Sequence, residues 1–162
     1  MSTAALSSPR TPVDYTPTDT YQLVAPTNAT TPRVAREFIT AVLTATGYSS
    51  LIDNACICLS DVVANVVLHA RVPVLSVECV IRPGRVFVAV RDDAPTRRPY
   101  RRQATAGDES GRGLALVHGL SYAHGVTLVW EGLSVTGKRV WFELREEAPA
   151  ARLRPDDGSD LP

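Results

Sequence analysis

The chain has 162 residues, 44% of them apolar, with 17 basic and 17 acidic side chains and a formal net charge of zero. One domain with a sizeable core is expected, and a chain without net positive charge lacks the footprint of a general nucleic-acid binder. It shows no run of about 18 apolar residues and no basic-then-apolar leader, so neither a membrane span nor a secretory signal is expected. Cys56, Cys58 and Cys79, an odd number at no metal-site spacing, point to a reduced, cytoplasmic protein whose thiols act as small apolar side chains.

Residues 1–18 are rich in Ser, Thr and Pro and read as a flexible arm ahead of a domain over 19–146. Tyr21–Ala25 alternates weakly and is a candidate strand. Asn28 to Thr31 offers helix N-caps, and Pro32 suits a first turn. Val34, Phe38, Val42 and Leu43 then recur at helical spacing up to Gly47, a helix stop. A second helix starts at Ser49 or Ser50 and ends near His69 to Arg71, ahead of Pro73. Val74–Ile81 and Val86–Val90, with Pro83-Gly84 between them, predict an antiparallel strand pair closed by Asp92-Asp-Ala-Pro95.

Residues 96–110 are almost devoid of apolar side chains and read as a long polar loop of the kind that forms lids. A third helix is expected from Gly111 to near His124-Gly125, then strands over Val126–Trp130 and Arg139–Leu144 with Gly132 and Gly137 in their connection. The tail, 147–162, is polar and reads as frayed. Strands adjoin strands rather than alternating with helices. That order predicts an α+β fold, a two-layer sandwich with a mixed, mostly antiparallel sheet and helices on one face.

The second helix carries the most informative pattern. Asp61, Asn65 and His69 recur every four residues and share one stripe, while Val62, Val63, Val66, Val67 and Leu68 cover much of the rest. A carboxylate and an amide on a buried surface are costly unless something bonds them, and a cation carrying a polyphosphate would do so. A solvated helix edge is the plainer alternative. Asp92 can accept from an exocyclic amine such as that of adenine, or simply cap a turn. Gly111-Arg112-Gly113 precedes a helix whose N-terminus offers free N–H groups to a phosphate; two loop glycines are the alternative.

Gly132-Leu-Ser-Val-Thr-Gly137-Lys138 has P-loop spacing, but Arg139 stands where the metal-binding hydroxyl belongs and a strand follows. The P-loop reading is rejected. Lys138 is either within reach of a phosphate or a solvated hairpin lysine. Arg97, Arg98, Arg101 and Arg102 in the loop are able to clamp phosphate oxygens or meet an acidic partner. With Tyr100 among them they also hint at nucleic acid, and a solvated basic loop is the default.

Taken together, the Asp61-x-x-x-Asn65 helix, the Asp92-x-Ala-Pro segment and the Gly111-Arg-Gly-Leu helix start resemble the ATP-binding boxes of the gyrase, heat-shock chaperone, histidine kinase and mismatch-repair ATPase superfamily. The nearest likeness is to its small bacterial branch, the anti-sigma-factor serine kinases, over roughly residues 20 to 145. The resemblance implies ATP and Mg2+ as cofactors, with Asn65 on the metal, Asp61 as general base and Asp92 holding the adenine amine beside Ala94. It places Gly111, Arg112, Gly113 and Leu114 where the lid meets the helix under the phosphates, and Lys138 and Arg139 in the last box. It also implies a regulator of transcription that phosphorylates a serine on an antagonist protein, binds a sigma factor and is commonly a homodimer.

Three departures from the family pattern bear on activity. Asp61 replaces a glutamate and is one methylene, about 1.5 Å, shorter, and misplacement of that order can cost about a hundredfold in rate. Ala94 replaces a frequent glycine, and Arg139 a frequent threonine that bonds the ligand. The alternative is therefore a partner-switching module of the same fold that binds nucleotide without transferring phosphate.

Overall fold

The computed structural model describes residues 18–94 and 112–146, with backbone alone for Arg112, Gly113 and Leu114. The expected N-terminal arm, the lid at 96–110, Gly111 and the C-terminal tail lie outside the described residues, Thr18 excepted.

The elements in chain order are β1 (Asp19–Pro26), α1 (Thr31–Thr46), a 3-10 turn (Ser49–Leu51), α2 (Ile52–His69), β2 (Val74–Arg82), β3 (Arg85–Asp92), α3 (Arg112–Leu120), β4 (Ala123–Glu131) and β5 (Ser134–Arg145). The strands form one sheet in the order β1-β2-β3-β5-β4. Every neighbouring pair is antiparallel, so the sheet is uniformly antiparallel where a mixed one was expected. The helices lie on one face: α1 packs on β1 and β2, α2 on β3 and β5, and α3 on β4. This is the α+β sandwich that the strand-next-to-strand order requires.

The core lies between these layers. Alternate residues of the central strands, among them Leu75, Val77, Cys79, Val86, Val88, Val90, Val140, Phe142 and Leu144, point at the helices and are buried. They meet Ala55, Cys58, Leu59, Val62, Val63 and Val66 of α2. The segment Ser49–His69 is long and apolar enough to cross a membrane, although no continuous apolar run signals it. Leu51, Ala55, Cys58, Leu59, Val62, Val63 and Val66 of this segment are buried in the core, whereas Ile57 and Leu68 are exposed.

Local chemistry explains the element ends. Asn28, not the N-cap Thr30, organises the start of α1: its Oδ1 accepts from the Thr30 N–H at 3.0 Å and from the hydroxyls of Thr30 and Thr31. Gly47 closes α1 in the left-handed region at φ 85°, and the Tyr48 N–H reaches back to the Leu43 carbonyl at 2.8 Å.

Two boundaries differ from expectation, both at glycines. α3 ends at Leu120 and β4 already contains His124 and Gly125. A Cβ on Gly125 would lie 2.8 Å from the Trp141 indole, so this glycine lets an aromatic ring lie across the strand. β5 begins at Ser134, and Gly137 lies inside it rather than in the turn. A Cβ there would lie 2.5 Å from the Asp92 carbonyl oxygen.

Candidate functional site

Topology brings the motif residues to one end of the molecule. α2 ends at His69, β2 starts at Val74, and Leu75 pairs with Asp92. The last turns of α2, which carry Asn65 and His69, therefore lie over the sheet end where β3 finishes. α3 turns sharply into β4 through Ser121 and Tyr122, and the Tyr122 N–H bonds the Glu143 carbonyl at 2.8 Å. β4 then runs back until Leu128 faces Lys138. An antiparallel α3 thus starts near the Asp92 end, with Arg112, Gly113 and Leu114 in its first turn.

Asp61 and Asn65 share a defined flank of α2. Thr40 Oγ1 lies 3.4 Å from Cys56 Sγ, and Arg36 donates to Ser60 Oγ at 3.2 Å, so α1 covers the Cys56–Ser60 flank. Asp61 and Asn65 project from the opposite flank, the side on which α3 packs. Both are half-buried, whereas His69 is exposed.

Asp61 Oδ2 is fully enclosed and has no hydrogen-bond partner among the described residues. Burial pushes the Asp61 carboxyl above its ordinary value. The thiol of Cys58, one turn earlier, is pushed up to about 11, mainly by burial and further by the Asp61 charge. A desolvated carboxylate of raised pKa is a better base than a surface one, and an orphaned buried acceptor wants a donor.

Asp92 is 1% and Lys138 5% exposed. They face each other across the β3–β5 pair, with Lys138 Nζ 3.3 Å from Asp92 Oδ2. That is an ion-pair distance without hydrogen-bond alignment, and among the described residues Oδ2 has no hydrogen-bond partner. Asp92 Oδ1 accepts the Ala94 N–H at 2.9 Å, and Lys138 Nζ donates to the Ala94 carbonyl at 3.4 Å. Lys138 is therefore not a solvated hairpin lysine; it sits at the Asp92 end of the sheet. Nothing in the sequence signalled this pairing, because it depends on strand register.

Arg139 belongs to the other face of the sheet. It pairs with Glu78 at 3.6 Å, reaching diagonally over β3, where Arg91 is its own register partner and Ala89 that of Glu78. It does not share the Asp92 face, so it is not the residue that replaces a ligand-bonding hydroxyl there. The segment from Gly132 to Lys138 is a hairpin turn leading into a strand, with Gly132 at φ 60°, which agrees with rejecting the P-loop.

The residues fit a nucleotide carrying a divalent cation. Asp61 Oδ2 and Asp92 Oδ2 are buried and, among the described residues, accept no hydrogen bond, though Asp92 Oδ2 is ion-paired with Lys138, and the Asn65 amide supplies the oxygen that Mg2+ prefers. Among the described residues no three His, Cys, Asp or Glu side chains gather to hold a metal, so a cation held from Asn65 would lean on ligand phosphates, as Mg2+ commonly does.

A family model described as the histidine kinase-like ATPase domain matches residues 24–142. No curated protein matches the chain. The matched span runs from the end of β1 to the middle of β5 and takes in Asp61, Asn65, Asp92 and Lys138. With this fold and most of its length covered by that model, the chain belongs to the histidine kinase-like ATPase family, a family of ATP-binding domains.

Proposed function

We propose that the protein is an ATP-binding regulatory serine/threonine kinase that acts as an anti-sigma factor, phosphorylating a serine on an anti-anti-sigma antagonist. Bound Mg-ATP would supply the phosphoryl group and the cation that neutralises its charge. Asn65 would hold the cation, Asp92 the amine edge of the base, and Gly111 to Leu114 the approach to the phosphates. Asp61 would take the proton of the attacking serine hydroxyl. The observation that carries this reading is the enclosed, unpartnered Oδ2 of Asp61, one helical turn ahead of Asn65 on the flank toward α3. A carboxylate kept dry and unbonded is a liability to the fold, and a proton-accepting role explains it.

A second reading is favoured by the short reach of Asp61 and by the ion pair that already engages Asp92. In it the protein binds nucleotide, switches between partners and transfers no phosphate. One experiment separates the two. The purified protein is incubated with Mg-ATP and antagonist proteins of sigma-factor regulation, and phosphoserine is read by mass spectrometry. Transfer by wild type and none by Asp61→Asn is the expected result. Stoichiometric ATP binding with no transfer in either would leave the second reading standing.

A further inference from the structure

We propose that the free edge of β4 is a docking site for an extended, mainly apolar segment of a partner protein, which joins the five-stranded sheet as a further strand. The docking site is independent of the nucleotide reading above.

β4 closes the sheet opposite β1, and among the described residues no strand pairs with its outer edge. An edge strand presents a row of backbone N–H and C=O groups that another extended backbone can pair along its length. Natural edges are blunted by lysines, prolines or inward-pointing charges, and from Gly125 to Trp130 this one carries none of them. Its side chains are apolar and open. Val126 and Leu128 share the helix-bearing face with their register partners Val140 and Lys138, yet they are 49% and 39% exposed while those partners are buried. Among the described residues the helix layer thus stops short of this edge. Trp130 and Leu133 continue the exposed apolar surface past the register shift between Val129 and Trp130. The opposite edge differs: Asp19 and Pro26 stand at the ends of β1, and its Tyr21 and Leu23 pack against the core.

Length selects the occupant. The regular stretch Gly125–Val129 ends at that register shift and extends about 17 Å. A second copy paired along it would bury well under the roughly 1,200 Å² at the lower end of standard interfaces. A short segment that docks and leaves suits an edge of this size. Charge adds to its chemistry. The segment carries apolar side chains on the face of Val126 and Leu128, and a basic residue at the end that meets Glu131, an exposed carboxylate with no ion pair among the described residues.

The test uses the full-length protein, fluorescence anisotropy and three labelled peptides. One is Lys-Thr-Val-Thr-Val-Thr-Lys; the others are the same sequence N-methylated on its threonines or on its valines. Neighbouring residues of a strand turn their N–H groups to opposite edges, so the two methylated peptides each block one edge. Wild type is expected to bind the unmethylated peptide in the micromolar range, to keep one methylated peptide and to lose the other. Leu128→Lys, read in high salt to screen the added charge, is expected to bind about tenfold more weakly with an unchanged melting temperature. Should that variant fail to fold, the three peptides on wild type decide alone. No binding of the unmethylated peptide at millimolar concentration, or the same effect from both methylations, would overturn the proposal. A wild type that sediments as a dimer, and that Leu128→Lys makes monomeric, would give the edge to a second copy and overturn it as well.

Discussion

Replacing Asp61 by asparagine is expected to stabilise the protein while abolishing the proposed phosphoryl transfer. Oδ2 of Asp61 is enclosed without a hydrogen-bond partner among the described residues, and burial raises its carboxyl from an ordinary value of 3.8. The folded state therefore holds this proton more tightly than the unfolded chain does. As pH climbs from the ordinary carboxylate value through the raised one, the unfolded chain releases its proton first and wild-type stability declines. Above the raised value the penalty is complete. Leaving a buried acceptor unsatisfied costs about 1–3 kcal/mol, and a half-buried residue belongs at the lower end. Asp61→Asn keeps the shape and removes the charge, so a gain of about 1 kcal/mol is expected at pH 7, or roughly 4 °C in Tm for a domain of this size. The gain should shrink as pH falls through the raised value and vanish only below the ordinary value of 3.8, where both the folded and the unfolded wild type are protonated. Thermal unfolding followed by circular dichroism from pH 4 to 8 measures it. An asparagine variant that melts at or below wild type at pH 7 would refute the reasoning, because it would mean that Oδ2 has a partner in solution.

Other changes probe other parts of the structure. Asp61→Glu restores the longer reach and should raise any phosphoryl-transfer rate, by up to about a hundredfold if misplacement is the limitation; single-turnover kinetics read it, and an unchanged rate would remove that explanation. Gly137→Ala should lower stability by about 1–3 kcal/mol, seen as a lower urea midpoint, because the new methyl meets a backbone carbonyl that cannot move freely. Thiol titration of the native protein at pH 8 should show one fast cysteine, the half-buried Cys56. Cys58 and Cys79 are buried and pushed up to about 11 and about 12, which leaves almost no thiolate. Three fast thiols would contradict the packing of α2 on the sheet.

Much of the fold was legible because period and punctuation agree with packing. The α1 helix begins after Asn28 and stops at Gly47 as its cap chemistry dictates. The β2–β3 hairpin turns at Gly84, which takes φ 70°. Where glycines were read as stops, long-range contacts overruled the local reading. Gly125 yields to the Trp141 ring and Gly137 to the Asp92 carbonyl, and both lie within strands. The same limit governed the site. Asp61 and Asn65 could be placed on one stripe from a four-residue spacing, since helix geometry is local. The pairing of Lys138 with Asp92 could not, because it arises only when β5 settles beside β3 in one register. Arg139, its neighbour, turns to the opposite face and to Glu78 by the same alternation.

Magnesium-dependent nucleotide binding from the Asn65 flank of α2 is the claim on which the functional account stands. Titration calorimetry of wild type and Asn65→Ala with ATP, each with and without Mg2+, tests it directly. Wild type should bind ATP with an affinity that Mg2+ strengthens, and Asn65→Ala should lose that strengthening while melting within about 1 kcal/mol of wild type. An alanine variant that binds Mg-ATP as tightly as wild type would contradict the assignment.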